Sequence, residues 1–466
     1  MMTMTPERSL LDMPPHELAA HLRAHNIKRF CFTTAPNGEV RASHPLLEPI
    51  AEALAADSLD FEGHEGLFFE VSALEDALHG AFVHRTCRGQ GQGGTRFWSY
   101  QRFGDLLNDG VRLSKGMTHK NALAGLWWGG GKGVISRPER GDVRDPDQRQ
   151  ALFNEYGAFI SSLRGCYITA EDVGTNTTDM ANIADQTRFI TCIPKERGGS
   201  GNPSSATALG VVRGMEAAFD YLEGLRESQG SGKGRPASRA EGASLKGKHV
   251  VVQGVGHVGE VIVTLLLEAG ASVLATDINE ERARELEARW RARFGEASVE
   301  VRCTAPGDDS PLSWPCDALC PAAMGAILNP HTIPHIKAKV VCGAANNQLQ
   351  DPQRDGEALA ARGVLYLPDF LVNRMGIVNC ANEQYGYVGE QTSEDPYFAR
   401  HLGYEWPQSV YLTSLRVLER AEGEGLHPHT AAVELAEQLS RELHPIWGHR
   451  AAGIIEGLAT GAWASR

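Results

Sequence analysis

Six residues restrict this chain more than any others. Gly254-Val255-Gly256-His257-Val258-Gly259 follows an apolar run, Lys248 to Gln253, and precedes a second one, Val261 to Leu267. Strand, glycine turn and helix in that order open a dinucleotide-binding βαβ unit. Gly254 permits the tight turn, Gly256 lets a pyrophosphate come close to the backbone, and Gly259 lets helix and strand pack together. His257 and Val258 then fall at the start of the helix, whose unpaired N–H groups suit phosphate. The next apolar run, SVLATD, ends in Asp277, 23 residues after Gly254. An acid there accepts hydrogen bonds from a ribose 2′-hydroxyl and repels a 2′-phosphate. The expected cofactor is therefore NAD rather than NADP.

Further apolar runs follow in VEVRCT, CDALCPAAMGAIL, KVVCGAANNQL and GVLYLPDFL. Alternation with helical stretches predicts a parallel, doubly wound sheet. Asn346 and Asn347 lie just after one of these runs, where ligands of open α/β sheets bind, although turn asparagines alone would explain them. A chain of 466 residues needs more than one core. The fold class expected is α/β with two domains and a cleft between them, the second domain being of Rossmann type. The first, residues 1–200, would hold the substrate and the dimer contact. Residues 201–385 would bind NAD, and a helical tail, 386–466, would pack back on the first domain.

With 42% hydrophobic and 22% charged residues, the composition is that of an ordinary globular protein. A net charge of −13 argues against nucleic-acid and membrane partners. No run reaches the ~20 apolar residues of a membrane span, and the N-terminus lacks a signal-peptide core. Nine scattered cysteines suggest reduced thiols in a cytoplasmic protein. Cys316 and Cys320 have no second pair to complete a zinc site, so no metal is expected.

In the first half, KGMTHKNALAGLWWGGGKGVISRP places Lys120 and Lys132 on either side of Gly129-Gly130-Gly131. Phe103, Leu106, Leu107 and Val111 recur at helical spacing, and the glycines are expected to end that helix. Lys132 would then stand in a turn, with Val134 and Ile135 as a short buried strand. A lysine desolvated there would have a lowered pKa, suited to acid–base work. RTCRGQGQGGTRFW reads as a glycine-rich loop, including Gly93 and Gly94. CYITAEDVGTNTTDM reads as a strand followed by Glu171 and Asp172, which could equally be a helix cap. Residues 225–244 read as an exposed, flexible insertion.

Over about residues 64–388 these motifs resemble the glutamate/leucine/phenylalanine/valine dehydrogenase family, and most closely its leucine/phenylalanine/valine branch. The resemblance implies a homo-oligomer that reversibly oxidises an L-amino acid to a 2-oxo acid, ammonium and NADH. It assigns Lys120 to the substrate carboxylate, Lys132 to activation of water and Asp172 to proton exchange with the reacting nitrogen. Gly93 and Gly94 would lie against the substrate, and Thr207, Asn346 and Asn347 near the nicotinamide. At the two positions facing the substrate side chain stand Gln92 and Cys380, which match neither glutamate nor branched-chain enzymes. Gln92 cannot neutralise a side-chain carboxylate, so an aliphatic or aromatic substrate is expected. A glutamate or polar amino acid enzyme and a non-catalytic NAD-binding protein are the alternatives. Arg374 and Met375 replace the small residues of relatives and would either reshape the pocket or face away from it.

Overall fold

The structure is a computed structural model that describes residues 9–74, 76–140, 142–231, 243–384 and 395–465. The chain divides into two compact units. Unit 1 comprises residues 1–202, 383–388 and 437–466, and unit 2 comprises 203–382 and 389–436.

Unit 1 carries strands β1 (Arg29–Thr34), β2 (Val40–Ala42), β3 (Gly66–Val71), β4 (Leu78–Val83), β5 (Gly91–Gln92), β6 (Thr95–Trp98), β7 (Gly129–Ser136) and β8 (Tyr167–Ile168). They form one mixed sheet in the order β2-β1-β3-β4-β7-β5-β8, with β6 also paired to β7. Helices α1 (Pro15–Ala24), α2 (Glu48–Ala56), α3 (Phe103–Leu123), α4 (Pro146–Ser162) and α5 (Thr177–Ala184) belong to the same unit. Its core joins Phe103, Leu106, Leu107 and Val111 of α3 to Phe30, Phe69 and Phe82 of the sheet. The four α3 residues are those whose spacing predicts the helix. Gly110 makes the contact close, because a Cβ there would stand 2.3 Å from the Phe82 ring.

Unit 2 begins with α6 (Ser204–Ser231) and continues through β9 (His249–Gln253), α7 (His257–Glu268), β10 (Ser272–Asp277), α8 (Glu280–Phe294), β11 (Val299–Cys303), β12 (Ala318–Pro321) and β13 (Val340–Val341). Then come α9 (Pro352–Ala361), β14 (Leu365–Tyr366), α10 (Asp369–Val372), α11 (Met375–Gln384), α12 (Pro396–Leu402), α13 (Val410–Glu424) and α14 (Pro428–Ser440), whose last turn from Glu437 passes into unit 1 together with α15 (Arg450–Thr460). Its sheet is parallel throughout, in the order β11-β10-β9-β12-β13-β14. Counted from β9, that order is 3-2-1-4-5-6, the dinucleotide-binding topology. Val250, Val251 and Val252 are fully buried, as a strand covered by helices on both faces must be.

Several expectations need correction. Helix α3 runs three residues past Lys120, and Gly125, at φ +67°, follows its end. The glycine triplet is therefore not a helix stop but the start of β7, and Lys132 stands on a strand rather than in a turn. Close packing explains the glycines: a Cβ on Gly129, Gly130 or Gly131 would lie 2.1, 2.0 or 2.6 Å from Arg85 O, Thr118 Oγ1 or the Tyr167 ring. The stretch RTCRGQGQGG is likewise not an open loop, since β5 and β6 arise within and just after it. Helix α6 takes up the first part of the expected insertion, through Ser231, and residues 232–242 lie outside the described residues.

The tail does not go to one unit. Residues 395–436 belong to unit 2 and 437–465 to unit 1, where Trp463 packs edge-on against Phe68 with ring centroids 5.3 Å apart. Glu437 accepts hydrogen bonds from Arg85 at 2.7 Å and His119 at 2.8 Å. Arg374 faces away into unit 2, fully buried, with its guanidinium donating to Gln408 O and Thr413 Oγ1. Burial lowers its pKa to about 9. Met375 is buried too, and its side chain packs beside Gly210 of α6.

Candidate active site

Lys132 projects from the middle of β7, opposite Phe82 of β4. Its Nζ lies 2.7 Å from Asp172 Oδ2, with the two side chains only 6% and 19% exposed. Asp172 is not a helix cap: the cap of α5 is Asn176, whose side chain accepts from Thr178 N and Asp179 N. The segment before α5 is a fixed turn instead. Gly174 sits at φ +84° with no room for a Cβ beside Phe97 O, and Thr175 Oγ1 accepts from Asp172 N at 2.9 Å. Asp172 is thereby held above Gly94, where an added Cβ would stand 2.8 Å from its own. Burial pushes the Asp172 carboxyl up, but the nearby Lys132 ammonium and Arg96 guanidinium outweigh it and hold it below the usual carboxylate range. Arg96 Nε is 3.4 Å from Asp172 Oδ2, while its Nη1 reaches both oxygens of Asp109 at 3.0 and 2.8 Å. Tyr100 also donates to Asp109, at 2.6 Å.

The last turns of α3 complete this half. Gly93 lies beneath Met117, and the same stretch of helix carries half-buried Lys120. Asn121 Nδ2 binds Gly129 O at 2.6 Å and Gln92 O at 3.5 Å, tying β7 and β5 to the end of the helix. Gln92 itself is buried, and its Oε1 accepts no hydrogen bond among the described residues. The structure thus gathers Gly93, Gly94, Lys132 and Asp172 into one place in unit 1, with Lys120 and Gln92 on the elements around it.

In unit 2 the glycines behave as their spacing requires. Gly254 takes φ +95°, and a Cβ on Gly259 would stand 2.0 Å from Gly254 O, where α7 crosses the strand end. A Cβ on Gly256 would meet nothing within 4 Å, so space is open beside the backbone at the start of α7. His257 and Val258 are the first two residues of that helix. Asp277 ends β10 and accepts from Val255 N at 3.2 Å and Asn279 N at 2.9 Å, which fixes its carboxylate beside the glycine turn. This set fits a dinucleotide. Beyond β13, Asn347 stands at φ +53° with its N–H donating to Asp369, and Asn346 Oδ1 accepts from Asn373 at 2.8 Å. Thr207 Oγ1 donates to Pro203 O, and Gly376 on α11 leaves room for it.

Residues 78–189 match the dimerisation domain of the Glu/Leu/Phe/Val dehydrogenases, and residues 198–388 match the Glutamate/Leucine/Phenylalanine/Valine dehydrogenase domain. The leucine dehydrogenase of Geobacillus stearothermophilus is 40% identical over 356 residues, covering 76% of this chain and 85% of its own. This chain belongs to the glutamate/leucine/phenylalanine/valine dehydrogenase family. A valine dehydrogenase of Streptomyces albus is 35% identical over 82% of this chain and 94% of its own. Among solved structures, an L-tryptophan dehydrogenase from Nostoc punctiforme aligns with a TM-score of 0.62 at 30% identity, covering 84% of this chain and 98% of that one.

As a member of this dehydrogenase family the protein is an oxidoreductase that uses a nicotinamide dinucleotide. Cys380 is buried on α11, within unit 2. Sequence reasoning missed Arg96 and Asn373. An arginine after a glycine pair carries no signal of its own, because it reaches Asp172 only once Thr95 and Phe97 pair with Ala170 and Val173 in the folded unit. Glu383 was missed as well: it accepts from Cys192 N and Ser200 N, both at 2.8 Å, and thereby secures the loop that closes the first stretch of unit 1. Among the described residues no helix is long and apolar enough to cross a membrane.

Proposed function

We propose that the protein catalyses the reversible NAD-dependent oxidative deamination of an L-amino acid with an aliphatic or aromatic side chain. The amino acid, NAD⁺ and water give a 2-oxo acid, ammonium, NADH and a proton. The observation that carries this reading is the Lys132–Asp172 pair, buried against Gly93 and Gly94. When bound, the nicotinamide takes up the hydride released from the substrate α-carbon.

In this scheme Lys120 holds the substrate carboxylate as a point charge. Asp172 takes a proton from the amino group and later returns one to the departing nitrogen. Its depressed pKa, set against burial by Lys132 and Arg96, keeps it ionised at neutral pH and ready for the first of these steps. Lys132, once its ammonium has released a proton to solvent, removes a proton from the water that attacks the imino carbon. Gly256 and the N-terminus of α7 take the pyrophosphate, and Asp277 takes the ribose hydroxyls, which favours NAD over NADP. Thr207, Asn346 and Asn347 supply polar groups for the nicotinamide end, and a homo-oligomeric assembly is expected.

One observation favours a second reading of the substrate. Gln92 Oε1, buried without a partner among the described residues, suits a side chain that can donate a hydrogen bond. Formation of NADH across a panel of amino acids tests both readings. No activity with any of them would leave a non-catalytic NAD-binding protein.

A further inference from the structure

Away from the lysines, three residues from separate stretches of unit 1 converge. Glu65 precedes β3, Cys87 follows β4, and His449 lies in the last segment, 384 positions from Glu65. One ligand atom from each, a carboxylate oxygen, Sγ and an imidazole nitrogen, lies within 4.8 Å of the other two. His449 Nε2 is 3.1 Å from Glu65 Oε1 and 3.1 Å from Thr86 Oγ1.

The surrounding backbone fixes all three. Thr86 donates to the Glu65 carboxylate from both its N–H, at 2.8 Å, and its hydroxyl, which orients the acid as an outer-shell partner would. His444 N donates to Cys87 O at 2.9 Å, anchoring the last segment directly to the cysteine. Gly448, at φ +55°, then turns the chain so that His449 faces Glu65. A Glu–His hydrogen bond alone would anchor the segment. The thiol adds nothing to that bond, yet it completes an oxygen, nitrogen and sulfur set.

We propose that Glu65, Cys87 and His449 form a binding site for a divalent transition metal of the zinc type, with water as fourth ligand. Zinc accepts this mixture of donors, and bond lengths of about 2.0–2.3 Å put tetrahedral ligands roughly 3.3–3.8 Å apart. Closing the trio to that geometry needs shifts of about an ångström or less. Binding displaces the proton from Cys87 Sγ and the one that His449 Nε2 shares with Glu65. The site does not depend on the dehydrogenase chemistry. Its effect would be to fasten the last segment to the sheet of unit 1.

The test uses the full chain, stripped with a chelator and titrated with Zn²⁺ against a chromophoric competitor. One Zn²⁺ per chain should bind more tightly than about 1 µM. Cys87→Ser and His449→Ala should each weaken it by about 100-fold or more, whereas Cys303→Ser, at an exposed thiol, should not. Co²⁺ should produce a thiolate charge-transfer band that Cys87→Ser abolishes. Absence of tight binding to the wild type, or full retention of it by Cys87→Ser, overturns the proposal. If the variants fail to fold, alkylation of the wild type decides. Zn²⁺ should protect the Cys87 peptide, and unchanged labelling overturns the site.

Discussion

Gly130 and Thr118 leave no space between strand β7 and helix α3: a Cβ on Gly130 would stand 2.0 Å from Thr118 Oγ1 and 2.4 Å from Ser114 O. The second atom is backbone and cannot rotate aside. Gly130→Ala must therefore push α3 off the sheet and displace Lys120 and Lys132 from each other. Overpacking of this kind costs about 1–3 kcal/mol. Denaturant unfolding should show a loss in that range together with reduced activity, and an unchanged midpoint would mean that the packing is looser than described.

Lys132→Ala should remain folded and lose roughly 10²–10⁴-fold in kcat, the usual contribution of a general acid–base group. Lys120→Ala should act chiefly on KM, because its partner is the substrate carboxylate. Retention of more than about a tenth of the turnover by Lys132→Ala would remove that residue from the chemistry.

Arg96→Gln bears on Asp172 through charge. Lys132 and Arg96 together hold the carboxyl below its usual range against the effect of burial. Without Arg96 it should protonate at higher pH, so the acid limb of kcat/KM should move upward. The sign for stability follows from the same shift. A depressed carboxyl contributes fully above the unfolded value of about 3.9, and that contribution is lost as pH falls through the lower folded value. In Arg96→Gln that contribution should thus be smaller, and its loss complete at a higher pH, than in the wild type. Coincident limbs in both proteins would show that Arg96 does not tune Asp172.

Asp277→Ser removes a charge fixed beside the glycine turn by Val255 N and Asn279 N. The ratio of kcat/KM for NAD to that for NADP should be high in the wild type and fall in the variant. Equal use of the two cofactors by the wild type would contradict the assignment.

Gln92→Leu replaces a buried carbonyl that has no partner among the described residues. An unpaired buried polar atom costs about 1–3 kcal/mol. The variant should gain on leucine or valine relative to substrates that donate a hydrogen bond, and Gln92→Lys should gain some activity on glutamate. Comparison of kcat/KM for leucine, tryptophan and glutamate in the three proteins decides. Ratios that stay within about twofold would show that Gln92 does not face the substrate.

The dinucleotide unit was legible because its signals are local. Gly254, Gly256 and Gly259 each do what their position in a βαβ turn demands, and the parallel sheet follows from the alternation of apolar runs with helical stretches. The triple glycine misled for the opposite reason. Glycine in sequence signals a turn, yet at 129–131 it answers to crowding by Arg85, Thr118 and Tyr167, which only the folded sheet brings near. Arg96 was invisible on the same ground, since its partners Asp109 and Asp172 reach it through strand pairing and a helix face. The roles of Lys132 and Asp172 as partners rest on the resemblance, because the spacing of an isolated lysine and acid says nothing about a 2.7 Å contact.

The division of the tail affects how the protein is made. Unit 1 draws on residues 437–465, where Glu437 holds Arg85 and His119 and Trp463 covers Phe68, while unit 2 draws on nothing beyond Ala436. A ribosome releases the chain from its N-terminus, and domains tend to fold as they emerge. Unit 2 can thus be complete while the unit synthesised first still lacks its closing segment. Until that segment arrives, Phe68 is uncovered and the Arg85–His119 pair lacks its carboxylate, so the lysine-bearing unit is the last to be finished and the more exposed to aggregation on the way.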